Sequence, residues 1–268
     1  MEESQKEKEL SFLGHLEELR WRLVKCAIAI LITACLLFYF TDPIIKYVYL
    51  AMSKSDFITY KIFCKASNLM GLSDSLCASD IPLQIQSIEM TKQFSTNMYF
   101  ALVGGIVVMF PFVFYQFWCF VKPGLKENEI KVTRGISYFS SILFFLGILF
   151  GYFLISPLCV QFFGGYKLTA EVQNNFTISS YMSMITTSTF FSGLFFELPV
   201  VIYILSKLKV VTSSFLKKYR KHALIAILLL SAIITPPDVI SQILVSLPIL
   251  ALYEAGIMVA KLVEKKSL

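Results

Sequence analysis

Two stretches of this chain leave few options for its fold. Neither Gln93 to Val121 nor Gly135 to Tyr166 contains a charged residue. A helix rising about 1.5 Å per residue crosses a hydrocarbon layer of about 30 Å in roughly 20 residues. Lipid also accepts only backbone whose polar groups are satisfied internally. These runs therefore predict membrane-spanning helices. Composition agrees, with 56% hydrophobic residues, 25 Phe and only 16% charge. Soluble domains carry about 45–50% apolar and about 25% charged residues. The net charge of +6 then bears on orientation in a bilayer, and no nucleic-acid partner is expected.

The pattern along the chain predicts an all-α integral membrane protein, one membrane domain over residues 1–268. Its six spans fall near 23–41, 94–121, 135–160, 179–206, 222–235 and 240–260. Met1 to Leu10 reads as a charged, flexible tail without a cleavable leader. Asp42-Pro43 closes the first span, because the residue before proline is pushed out of the helical region. Residues 42–92 form an extended outer loop, too polar to span, with room for a helix or two. Pro111 should kink the second span, and Ser156-Pro157 should end the third. The last two spans read as short. From His222 to Pro236-Pro237 is about 14 residues, or about 21 Å. The turn there would sit below the membrane surface, covered by protein or lining a wet cavity. A concave, glove-like arrangement follows.

Eighteen of the 24 Lys and Arg residues fall in residues 1–25, in 122–134, in 207–221 and at the C-terminus. Six spans put these segments on one side, and the positive-inside rule makes that side, with both termini, cytoplasmic. Cys64 and Cys77 then face outward. They either form a disulfide closing a loop of about 14 residues or stay as two thiols. Cys26, Cys35, Cys119 and Cys159 lie in apolar runs and read as small core residues. No Cys or His spacing suits a metal, and no cofactor is expected.

SFLGHLEELRWRL, from Ser11 to Leu23, precedes the first span. Phe12, Leu16, Leu19 and Leu23 share one helical face. His15, Glu17, Glu18, Arg20 and Arg22 take the rest. This predicts an amphipathic helix over 11–22 lying on the membrane surface, then turning in. Two plainer readings stay open: Glu18 and Arg22 as an ordinary surface ion pair, and the arginines as the positive anchor of the first span. Glu197 is the sharpest intramembrane feature, since burying a carboxyl there costs about 2.5–3.5 kcal/mol on insertion scales. It either serves function or is a protonated carboxyl bonded to a carbonyl freed by Pro199. Asp238 either caps the last helix or serves docking. Glu254 reads as structural, and His15 and His222 receive no ligand role.

HLEELRWRL, PFVFYQFWCFVKPGLKENE (Pro111 to Glu129), FFELP (Phe195 to Pro199), ITPPDVISQ (Ile234 to Gln242) and LYEAG (Leu252 to Gly256) resemble, in order and spacing, the TatC family. That family is the multi-spanning receptor subunit of the twin-arginine protein translocase. The outer loop departs from it in length, in its two cysteines and in lacking a proline near Leu50 to Met52. The resemblance implies a bacterial inner-membrane protein that binds twin-arginine signal peptides of folded cargo. It also implies single-span TatA/TatB-type partners, other TatC copies and export driven by the proton gradient. By the same resemblance Glu18 and Glu129 are the signal-binding carboxylates, with Glu17 and Glu127 as neighbours. Leu16 and Arg20 belong to that site and are expected to hold the helix in register. Glu197, Gln242 and Asp238 would meet a partner helix. The chemistry fits, because a guanidinium offers a planar fork of donors suited to carboxylates. The chain has no HExxH, no nucleophile–base pair and no nucleotide-binding loop, so no enzyme is expected. The rival reading is an ion-coupled secondary transporter using Glu197, Asp238 and Glu254, although no internal repeat supports it.

Overall fold

The computed structural model describes residues 2–54, 56–69, 84–122, 135–166, 169, 175–234 and 239–267. Almost everything described is helical. Among the described residues, five helical segments are long and apolar enough to cross a membrane: Gly14–Tyr39, Lys92–Val121, Ile136–Gly165, Ile178–Lys207 and Val245–Lys265. The chain divides into two compact units, Met1–Tyr39 with Ala101–Ser141, and Phe40–Phe100 with Ile142–Leu268.

In the first unit, α1 runs unbroken over Glu2–Tyr39. The expected flexible tail and the expected turn near Leu23 are both replaced by one helix. The physical reason lies in the sequence: from Glu2 to Tyr39 there is no proline, and the single glycine, Gly14, is followed by strong helix formers. Ending a helix inside this stretch would strand backbone groups with no cap to take them. α4 (Lys92–Val121) contains Pro111 within its span and packs closely on α1. A Cβ added at Gly105 would lie 2.9 Å from the carbonyl oxygen of Ile30 and 3.1 Å from the amide of Ala34. Small residues here let two backbones touch, as is usual between membrane helices.

The second unit begins with α2 (Thr41–Ile44), a π turn (Ile45–Tyr49) and a 3-10 turn (Leu50–Ser53), then α3 (Ile58–Leu69). This segment agrees with the expected loop helices. A short parallel pair also joins β1 (Gln84–Gln86) to β2 (Asn175–Thr177), with Ile85 opposite Phe176. The third spanning segment is α5 (Ile136–Phe150), a π turn (Gly151–Ile155) and α6 (Ser156–Gly165). Pro157 does not end it. The π turn absorbs the proline at the start of α6, and the Ser156 hydroxyl donates to the Gly151 carbonyl at 2.9 Å. Proline has no N–H to give to the carbonyl four residues back, which is that of Phe153. The Thr59 hydroxyl of α3 donates to it instead, at 2.6 Å.

α7 (Ile178–Phe196) starts at the Thr177 cap and gives way at Glu197 to α8 (Leu198–Lys207). α5 and the π turn after it meet α7 where side chains vanish: a Cβ on Gly147 would stand 2.8 Å from the Gly193 Cα, and one on Gly151 2.8 Å from the Thr189 Cα. Beside this seam Ser156 Oγ lies 3.0 Å from Ser188 Oγ and 3.2 Å from Thr189 Oγ1. Lys209, at φ 59°, ends α8, and the Val210 amide donates back to the Leu205 carbonyl at 3.0 Å, a Schellman-type close. α9 (Ser213–Lys218) and α10 (Arg220–Ile234) follow. At 15 residues, α10 rises about 22 Å, short of a full crossing as the sequence implied. The last helix, α11 (Val239–Ser267), is not short. It extends past Ala260 because Val263 is buried and the Glu264 carboxylate accepts from the amide and hydroxyl of Ser213, capping α9. The turn between α10 and α11 lies outside the described residues.

Candidate functional site

The HLEELRWRL stretch lies in α1 against the end of α4. Glu18 Oε1 accepts from Arg22 Nε at 3.0 Å and from Arg22 Nη2 at 2.5 Å. The remaining guanidinium nitrogen, Nη1, donates to Gln116 Oε1 of α4 at 3.0 Å. The His15 ring stacks on Phe120 of α4, with centroids 4.2 Å apart and planes 11° off parallel. His15 Nδ1 stands 3.8 Å from Glu18 Oε2. One carboxylate oxygen therefore holds an arginine, while the other faces an imidazole beyond hydrogen-bond range. The Glu18 side chain is 40% exposed.

Leu16 is exposed, and Arg20 lies over the ring of Trp21, which is itself exposed. Arg22 and His15 make the contacts to α4. The reason is angular: residues 15, 18 and 22 follow the i, i+3, i+7 line of one helical face, while 16 and 20 sit on another. Gln116 was missed. Its signal was a lone amide near the end of an otherwise apolar helix. Glu129, Glu127, Asp238 and Cys77 lie outside the described residues. Cys64 is disulfide-bonded. Cys26 and Cys159 are buried as expected, whereas Cys35 is exposed.

Glu197 is buried, 6% exposed, at the joint between α7 and α8. Its carbonyl takes the amides of Val200 and Val201 at 3.0 and 2.9 Å, across the break that Pro199 requires. Gln242 is half-buried in α11, and its amide nitrogen donates to the Leu228 carbonyl of α10 at 3.1 Å. Part of its bonding capacity thus holds two helices together. Glu254 pairs with Arg220 at 2.6 Å, both half-exposed.

Comparison with known proteins places the chain in a family. Residues 14–248 match the family model for the Sec-independent protein translocase protein TatC. The chain belongs to the TatC family. It is 37% identical to TatC of Blattabacterium sp. subsp. Periplaneta americana over 96% of this chain and 97% of that one. It is 32% identical to TatCy of Bacillus subtilis over 97% and 92%. A crystal structure of the twin-arginine translocase receptor TatC superposes with a TM-score of 0.67 at 31% identity, covering 93% of this chain and 99% of that one. The chain is thus a multi-pass membrane component of the Sec-independent protein translocase. Glu18, Arg22, Gln116, Glu197 and Gln242 all fall inside the TatC match.

Proposed function

We propose that this TatC chain is the receptor of a bacterial inner-membrane translocase, with both termini cytoplasmic and α10 serving as a sixth, short span. It binds the twin-arginine signal of folded cargo through Glu18 and Glu129. Leu16 and Arg20 contribute the outward side of the same helix. Glu197, Gln242 and Asp238 face single-span TatA/TatB-type partners, and further TatC copies complete the assembly, which the proton gradient drives. Cys64 pairs with Cys77 in the outer loop.

One observation supports signal binding most directly: a guanidinium already sits on Glu18. Arg22 approaches through two of its nitrogens and uses one oxygen, and the side chain as a whole stays 40% exposed, open to a second guanidinium. Holding Glu254 in a half-exposed ion pair with Arg220 takes one carboxylate away from the rival transporter path.

The test uses the full chain in membrane vesicles and a cargo peptide with a photo-crosslinker beside its paired arginines. Glu18→Gln and Glu129→Gln should each cut crosslinking by about tenfold or more, the loss expected for a charge-assisted hydrogen bond, with insertion unchanged. A peptide carrying two lysines should crosslink as weakly to the native chain. Equal crosslinking of both peptides, or no effect of either replacement, overturns the assignment.

A further inference from the structure

We infer that α3 is an interfacial helix, its apolar stripe covered by phospholipid of the adjoining leaflet and its lysines set at the headgroups. The helix has three faces. Thr59 and Tyr60 are buried at 5% exposure each and point into the unit. Ile58 and Ile62, one turn apart, are 56% and 57% exposed. Lys61, Lys65 and Asn68 are exposed along a third strip. Successive residues turn about 100°, so the apolar strip lies between the protein-facing side and the charged side. A helix wholly in water has no use for that middle strip.

The depth of α3 follows from its anchors. Thr59 bonds the Phe153 carbonyl, and the Tyr60 hydroxyl lies 3.1 Å from the Met52 carbonyl and 3.4 Å from that of Pro157. Phe153 lies 17 residues past Ile136, about 26 Å along the apolar segment Ile136–Gly165, against a hydrocarbon layer of about 30 Å. Tyrosine hydroxyls cluster at the same level. Tyr152 donates to the Val48 carbonyl and Tyr181 to that of Tyr49, each at 2.8 Å. At that depth the neighbour of an outward Ile58–Ile62 strip is lipid.

Charge names the lipid. Residues 54–69 contain Lys54, Lys61 and Lys65 against one acid, Asp56. Lys61 pairs with Asp56, so Lys54 and Lys65 remain to face anionic headgroups.

The experiment places p-benzoylphenylalanine at Ile58, Ile62 or Asn68, one position at a time, in the full chain reconstituted in vesicles of phosphatidylcholine and phosphatidylglycerol. Positions 58 and 62 should yield phospholipid adducts by mass spectrometry, about tenfold more than position 68. Adducts to protein at 58 and 62, or equal lipid yields at all three sites, overturn the inference. A second measurement needs no replacement: a water-soluble amine reagent should label Lys65 of the native chain about fivefold more slowly when phosphatidylglycerol is present than in phosphatidylcholine alone. Equal rates remove the anionic-headgroup part.

Discussion

The end of α1 on α4 and the seam of α5 on α7 solve one packing problem in opposite ways. On α1 and α4, long side chains reach across: Arg22 bridges Glu18 and Gln116, and His15 stacks on Phe120. On α5 and α7, glycines let the backbones meet, and short hydroxyls bond beside them. The first contact is half in water and rests on rotatable groups. The second is buried and has no slack. The same contrast separates the two carboxylates. Glu18 is exposed enough to exchange partners, while Glu197 is buried at a helix joint.

The largest effect is expected at the seam. Gly151→Val would drive a Cβ to within 2.8 Å of Thr189 Cα and Ser192 Cβ, both on a helix that cannot retreat alone. Overpacking of this kind costs about 1–3 kcal/mol, and contact with backbone puts this case near the upper end. Thermal unfolding in detergent should shift down by several degrees or the protein should fail to accumulate. Gly165→Ala is the control, because an added Cβ there meets nothing within 4 Å, and the change should be about neutral. Equal behaviour of the two variants would show that the seam tolerates separation.

At the α1–α4 end the expected effect is smaller. Gln116→Leu removes the acceptor for Arg22 Nη1 yet leaves Arg22 on Glu18 and in reach of water, so the loss should be about 0.5–1.5 kcal/mol. A cycle with Arg22→Ala should return a coupling of about 0.5–1.5 kcal/mol, as for residues in direct contact. No coupling would mean that the bridge does not hold α1, and the yielding contact would reduce to the His15–Phe120 stack.

These differences track what the sequence could and could not disclose. Uncharged runs located the spans because hydrocarbon thickness fixes helix length. The shortness of α10 was legible for the same reason. The unbroken α1 was not, since an amphipathic pattern followed by an apolar one suggests two orientations, whereas continuity depends on the lack of a breaker. Pro157 misled in the reverse sense. A proline in a span signals an end, but its freed carbonyl found the Thr59 hydroxyl from a segment 94 positions away. The helix that carries Glu18 was legible from its motif. Its partners on α4 were not, because no local pattern announces which face of an apolar helix carries Gln116 and Phe120.

The smallest effect is expected where the second unit itself meets water. Asp56 pairs with Lys61 at the start of α3, and the neighbouring ammonium holds the Asp56 carboxyl below its usual range. A carboxyl with a lowered folded-state pKa stabilises the fold above its unfolded value, about 3.9. That contribution is lost as pH falls through the folded value. The native chain and Asp56→Asn should therefore differ in α3 amide-exchange protection near neutral pH, by less than about threefold because exposed pairs are weak. The two should converge once acid titrates the lowered folded-state carboxyl. A gap that persists in acid would mean that Asp56 acts through packing or capping rather than charge, and the pair would no longer belong with the yielding, water-facing contacts.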